Sequence, residues 1–149
     1  MVETQKTLVI WASRHMPLKK QLDVLTEKLG SYELKIVADK ILNAEYVVDN
    51  FVKPNVSKYD RIVVIPVLPL SMIARLVELS KFNNFEVWWA EMEQVKIMAS
   101  EPKPETDYDP ERETVVVAAG VHEQRSYKIM RFKRFMRIKR IVMEMEEVG

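Results

Sequence analysis

The sequence predicts an α/β fold: a Rossmann-like, three-layer core of parallel strands, extended by antiparallel strands toward the C-terminus. Three observations carry this. Short apolar runs alternate with amphipathic helical patterns as β-α-β-α-β-α from Thr7 to Phe82, and that alternation argues for parallel strands joined by right-handed crossovers. Two later strand-like runs, FEVWWAEMEQVKIM and TVVVAAG, flank an acidic, proline-bearing stretch without helical period. A parallel return needs a helix, so these two are expected to form an antiparallel pair joined by a long exposed loop. Finally, 149 residues with 48% apolar content suffice for one globular domain with a real core.

Element by element, TLVIWAS reads as a buried strand over about residues 7–12. Pro17 fits the first turn of the next helix, where its missing N–H costs nothing. Leu18, Leu22, Leu25 and Leu29 share one face, and Gly30 ends the helix as a left-handed cap. YELKIVAD is a second strand. Asn43 can cap a helix through AEYVVDNFV, which Pro54 stops. YDRIVVIPVLPL is the third and most apolar strand, ended by Pro66 and Pro69. Ser71 is a plausible cap for MIARLVELSKF, which buries Ile73, Leu76, Val77 and Leu79.

The C-terminal segment fits neither period well. Arg131, Arg134, Arg137 and Arg140 recur every three residues, as do Phe132, Phe135, Ile138 and Ile141. A single helix would spread its apolar groups around the cylinder. Two strands with a bulge near Arg134, SYKIMRF and MRIKRIVMEME, alternate better and are the expectation. The single domain, 1–149, then comprises a core (about 1–98), an acidic loop (about 100–113) and a basic extension (about 122–149).

Composition narrows the function classes. With no cysteine, disulfides, thiol catalysis and zinc–thiolate sites are excluded. Glycine occurs only at Gly30, Gly120 and Gly149, which excludes a glycine-rich phosphate loop. No apolar run approaches a membrane span, and MVETQK lacks a signal-peptide layout, so a cytoplasmic location is expected. No metal-binding motif appears, and no metal or cofactor is expected. The net charge of +1 hides an acidic run, EPKPETDYDPERE, and a stretch from Arg125 to Arg140 with eight basic residues and no acid. Solvated surface is the plain reading of both; the basic stripe could also hold RNA or DNA.

Ligands of open α/β sheets bind beyond the C-terminal ends of strands, where the strand order reverses. For the flavodoxin-like order 2-1-3-4-5, that point lies between the first and third strands, and the loops meeting there are SRHMPLKK and PVLPLSM. The first adds Arg14, His15, Lys19 and Lys20 to a helix N-terminus, which itself favours anions. The second brings Ser71, with Arg75 one turn on. Together they suit a phosphate group. His15 could instead be a hydrogen-bonded turn residue, the lysines solvated, and Ser13 a turn-former. His122 also follows a strand and precedes the basic segment. Trp11 reads as core.

These residues resemble a family. SRHMPLKKQ, with His15 and Gln21 six apart after the first strand, is similar to the SH-x-L-T-x-x-Q signature of small stand-alone CRISPR-associated Rossmann-fold (CARF) proteins, the ring nucleases. Leu68, Pro69, Ser71 and Ala74 resemble that family's second signature. Leu18 stands where the signature has threonine, and the basic C-terminal part has no counterpart. The resemblance implies a homodimer that binds a cyclic oligoadenylate, most often cyclic tetra-adenylate, across its two-fold axis. It further implies metal-independent cleavage to linear products with 2′,3′-cyclic phosphate ends, switching off type III CRISPR signalling.

On this reading His15, Arg14 and Lys19 act on the scissile phosphate. Ser13, Lys20, Gln21, Pro69, Ser71, Arg75 and His122 bind the ligand. The alternatives are a sensor or sponge that holds the nucleotide uncut, and a nucleic-acid-binding protein using Lys128, Arg131, Lys133, Arg134, Arg137, Lys139 and Arg140.

Overall fold

The first three strands stand in the order second-first-third, and the reason is visible in burial. A computed structural model describes residues 5–119 and 124–149. In it β1 (Thr7–Ala12) is buried at every position, while β2 (Glu33–Val37) is mostly exposed. A strand buried on both faces reads as a continuous apolar run, and such a strand belongs in the middle of a parallel sheet. β1 pairs in parallel with β2 on one side and with β3 (Arg61–Pro66) on the other. β3 pairs in parallel with the start of β4 (Glu86–Met98), at Val63↔Glu86 and Val64↔Val87. β6 (Arg125–Ile138) and β5 (Glu113–Ala119) are antiparallel to one another. The protein is therefore α/β, with parallel and antiparallel strands and with helices.

Contacts divide the chain into two compact units. The first holds residues up to His15, Tyr32–Trp89 and Arg137–Gly149; the second holds Met16–Ser31 and Ala90–Met136. β4 runs through both.

In the first unit, α2 (Ala44–Val47) starts where expected: Asn43 Oδ1 accepts the Tyr46 N–H at 2.9 Å. A π turn follows over Val48–Val52, then a 3-10 turn over Lys53–Asn55 that contains Pro54. Pro54 thus ends the wider helix without ending the coil. α3 spans Leu70–Asn83 and closes on Asn84, whose φ of 50° is left-handed. Leu76 and Val77 are buried, and Ile73 and Leu79 pack against the same core, which joins Leu8, Ile10, Val47, Val52, Ile62 and Val64.

In the second unit, α1 spans Lys19–Leu29 and buries Leu25. It begins later than Pro17 suggests, because Leu18 is its cap: the Gln21 Oε1 accepts the Leu18 N–H at 2.8 Å. Gly30 does end the helix at φ 73°, but its ψ of −126° lies outside the left-handed helical region.

Two expectations about the later strands are corrected. β5 does not pair with β4; β6 lies between them in the strand order β4-β6-β5. The basic segment is one continuous strand that ends at Ile138, so the expected second strand through Glu146 is absent; Lys139 to Gly149 have no regular structure. The neighbouring strands carry complementary charge. In the second unit Arg134 Nε meets Glu91 Oε2 at 2.6 Å and Lys133 Nζ meets Glu93 Oε2 at 3.5 Å, both across β6 and β4.

In the first unit, Glu86 takes Arg61 in a two-point pair (2.7 and 3.1 Å), the Trp88 indole N–H (3.2 Å) and Arg137 (3.6 Å). Burial pushes the Glu86 carboxyl up, but the hydrogen bonds from Arg61 and Trp88 and the charges of Arg61 and Arg137 outweigh it, so the net position is below the ordinary 4.5. A lowered carboxyl stabilises the fold above its unfolded pKa, and that contribution is lost as pH falls through the folded value. Glu86→Gln should therefore cost about 1.5–3 kcal/mol near neutral pH and shrink the drop in urea midpoint that the parent shows below about pH 4.5. An equal acid drop in both chains would show that Glu86 does not carry it.

Among the described residues, no helix is long and apolar enough to cross a membrane.

Candidate functional site

β1 and β3 end in register, Ala12 opposite Pro66, and the Val67 N–H continues the pairing to the Ala12 carbonyl at 3.0 Å. Both chains therefore leave the sheet at one level, in the crevice where the strand order reverses. This is where open α/β sheets bind ligands.

The first of these loops is held by its backbone. Ser13 is buried, and its Oγ accepts the His15 N–H at 3.0 Å. Trp11 is buried as core, and its indole N–H donates to the His15 carbonyl at 2.8 Å. Both backbone polar groups of His15 are thus bonded to residues that β1 itself fixes. The side chains of Arg14 and His15 are exposed, and among the described residues neither makes a hydrogen bond or ion pair. The result is two cationic or potentially cationic side chains on a rigid turn. Ser13 thus forms the turn, one of the two roles that the sequence left open for it. The role of Trp11 in holding His15 was not legible in the sequence.

The second loop runs into α3. Pro69, not Ser71, occupies the cap position. Its carbonyl accepts from Met72 and Ile73, and no side chain caps the helix. The first N–H groups of α3 are left for solvent or a ligand. Ser71 is exposed as the second residue of the helix. Arg75 is not a free cation: its Nε donates to Glu45 Oε1 at 2.7 Å and its NH1 lies 3.1 Å from Glu78 Oε2. These hydrogen bonds, to Glu45 and then to Glu78, push the guanidinium further up, and the bond from Arg75 holds the Glu45 carboxyl low.

Lys19, Lys20 and Gln21 belong to the second unit. The Lys19 ammonium is exposed and lies 3.4 Å from Asp23. The Lys20 side chain is exposed, but its N–H donates to the Glu111 carbonyl at 2.9 Å. The acidic stretch therefore packs onto the first turn of α1 and occupies one of the N–H groups expected to be free. That stretch is ordered by its own bonds, among them Lys103 N–H to Asp107 Oδ2 and Glu111 N–H to Asp109 Oδ1. Gln21 is buried, with its oxygen on Leu18 and its nitrogen 3.8 Å from Met92 Sδ. Its amide is committed inside the fold. Gln21→Ala should lower stability by about 1–2 kcal/mol, read as a fall in urea midpoint; no fall would mean that α1 caps itself without it. His122 lies outside the described residues.

Two features elsewhere lose weight as ligand sites. A cavity of about 200 Å³ is lined by Arg61, Ser80, Asn84, Glu86 and Arg137 among others. It sits at the starts of β3 and β4, the end away from the crevice, and Glu86 already engages both guanidiniums. In the basic strand, Arg131, Lys133, Arg134 and Arg137 pair with Glu113, Glu93, Glu91 and Glu86, so much of its charge is balanced locally. Among the described residues, no group of three His, Cys, Asp or Glu side chains is placed to hold a metal ion.

No protein-family model matches the chain, and no curated protein matches it.

Proposed function

We propose that this protein is a ring nuclease with a Rossmann-like CARF domain, which binds cyclic oligoadenylate, cyclic tetra-adenylate first among them, and opens it without a metal. One observation carries the reading: Arg14 and His15 stand exposed and, among the described residues, unpaired, on a backbone fixed at both of His15's polar groups, in the crevice where the sheet order reverses. The resemblance of SRHMPLKKQ to the ring-nuclease signature supplies the identity of the ligand.

The chemistry needs little from the protein. A ribose 2′-hydroxyl attacks the adjacent phosphorus in line. The O2′–P bond forms as the P–O5′ bond breaks, leaving a 2′,3′-cyclic phosphate and a 5′-hydroxyl. The 2′-hydroxyl gives up a proton and O5′ takes one. His15 handles a proton at this centre, Arg14 offsets the charge that builds on the non-bridging oxygens, and the open start of α3 with Ser71 helps seat the phosphate. A two-fold dimer would present this loop twice to a symmetric ring. The cleavage would end a type III CRISPR signal.

A sensor or sponge is the second reading, favoured by one observation: among the described residues, no group orients the His15 imidazole, whereas catalytic imidazoles are held by a third group. Product analysis separates the two. The protein is incubated with cyclic tetra-adenylate in EDTA and the products are resolved by chromatography. Linear products with cyclic phosphate ends are expected. Intact ligand that co-elutes with the protein would replace the enzyme with a binding module, and neither binding nor cleavage would overturn the proposal.

A further inference from the structure

The connection from β3 into α3 exposes more apolar surface than its packing requires. Val67 is 52% exposed and Leu70 61%, and Pro69 between them is exposed as well. Only Leu68 turns inward, against the core. Single exposed apolar residues are ordinary, but three within four consecutive positions make a patch, and such patches mark contacts.

The position of the patch says what it meets. The Val67 N–H is bonded to the Ala12 carbonyl, and Ala12 leads directly into Ser13, Arg14 and His15. The exposed apolar residues therefore start at the position bonded to Ala12, two residues before Arg14 in the turn that carries the exposed Arg14 and His15. A ligand that meets both carries an anionic group and an apolar one. A phosphodiester with its nucleobase has that form. We infer that Val67 and Leu70, with the Pro69 ring between them, are the surface on which a nucleobase of the ligand lies, while Arg14 and His15 take the neighbouring phosphate. This rests on the proposed function and adds to it a contact with the base.

The two kinds of contact respond differently to salt. Phosphate contacts release counterions, so affinity falls with rising salt in proportion to the phosphates neutralised. Base contacts on an apolar surface release none. The test compares the full-length parent, Val67→Ser/Leu70→Ser and Arg14→Ala, titrated with cyclic tetra-adenylate at several salt concentrations.

The serine variant should bind about tenfold more weakly, as expected for lost apolar contact, with the parent's salt slope. Arg14→Ala should weaken binding and flatten the slope. Parent-like affinity in the serine variant, with the parent binding well, would overturn the base contact and leave the proposed function standing. Failure of the parent itself to bind would remove the proposed function and the base contact with it. Sedimentation without ligand supplies the last arm: a change of oligomeric state in the serine variant would make the patch a protein contact and overturn the inference.

Discussion

His15→Ala should slow the opening of cyclic tetra-adenylate by about 10²- to 10⁴-fold, the range that a positioned proton-transfer group contributes. The same substitution should leave the fold within about 0.5 kcal/mol of the parent. The separation follows from how the residue is held. Its two hydrogen bonds are made by its backbone N–H and carbonyl, to Ser13 and from Trp11, and alanine keeps both. Its side chain is exposed and bonded to nothing among the described residues, so removing it uncovers little. Binding should fall far less than rate, because Arg14 and the start of α3 stay in place. The loss therefore belongs in kcat and not in KM, the pattern of a group that acts in the transition state. Equal rates in the two chains would show that the imidazole takes no part. A large loss of affinity with kcat unchanged would make His15 a ligand contact and not the proton-transfer group.

The alternating half of the chain was legible because each element there is set by local signals. β1 and β3 are apolar throughout since both faces are buried. Asn43 caps α2 as its side chain predicts. The failures came where a contact distant in sequence decided the matter. Consecutive strands usually neighbour one another, which suggested that β5 would follow β4. Here β6 lies between them instead, and the acids of β4 face the bases of β6: Glu91 and Glu93 meet Arg134 and Lys133. Both charge rows stood in the sequence, but their complementarity shows only once the two segments are set side by side. The period of three in the basic segment has a similar origin. Ile129 and Phe132 are both buried, although strand alternation puts them on opposite sides. A strand with a buried residue on each face loses its clean two-residue period.

The site was legible in position and less so in membership. Strand order places a crevice beside β1 and β3 from the sequence alone, and Arg14 and His15 do stand exposed there. Two other polar residues expected at the site are committed elsewhere. Gln21 points into the fold and holds a cap; Arg75 finds Glu45 and Glu78. Nothing local distinguishes a glutamine that caps from one that binds, since the same amide does both. The Glu111 carbonyl on the Lys20 N–H has no signature at all, because a backbone acceptor looks the same in every residue.

Trp11 tests whether the rigidity of this turn matters. Trp11→Ala should cost about 3–5 kcal/mol, the usual loss for a large buried aromatic, and lower the melting temperature by roughly 10 °C. That result alone would show only that the ring fills the core, where it is 2% exposed. Trp11→Phe separates packing from the hydrogen bond. It keeps most of the buried ring and removes the indole N–H that holds the His15 carbonyl. Water can replace that donor at an exposed turn, so the stability cost should be near 1 kcal/mol. The turn, however, would lose one of its two fixed points. Hydrogen exchange at the His15 N–H, bonded to Ser13 inside the same turn, should speed up in Trp11→Phe, and ring opening should fall by more than the stability change accounts for. A positioned group loses its advantage when its geometry loosens by even an ångström or so. Parent-like exchange and rate in Trp11→Phe would mean that Ser13 alone fixes the turn, and that the tryptophan serves the core and nothing else.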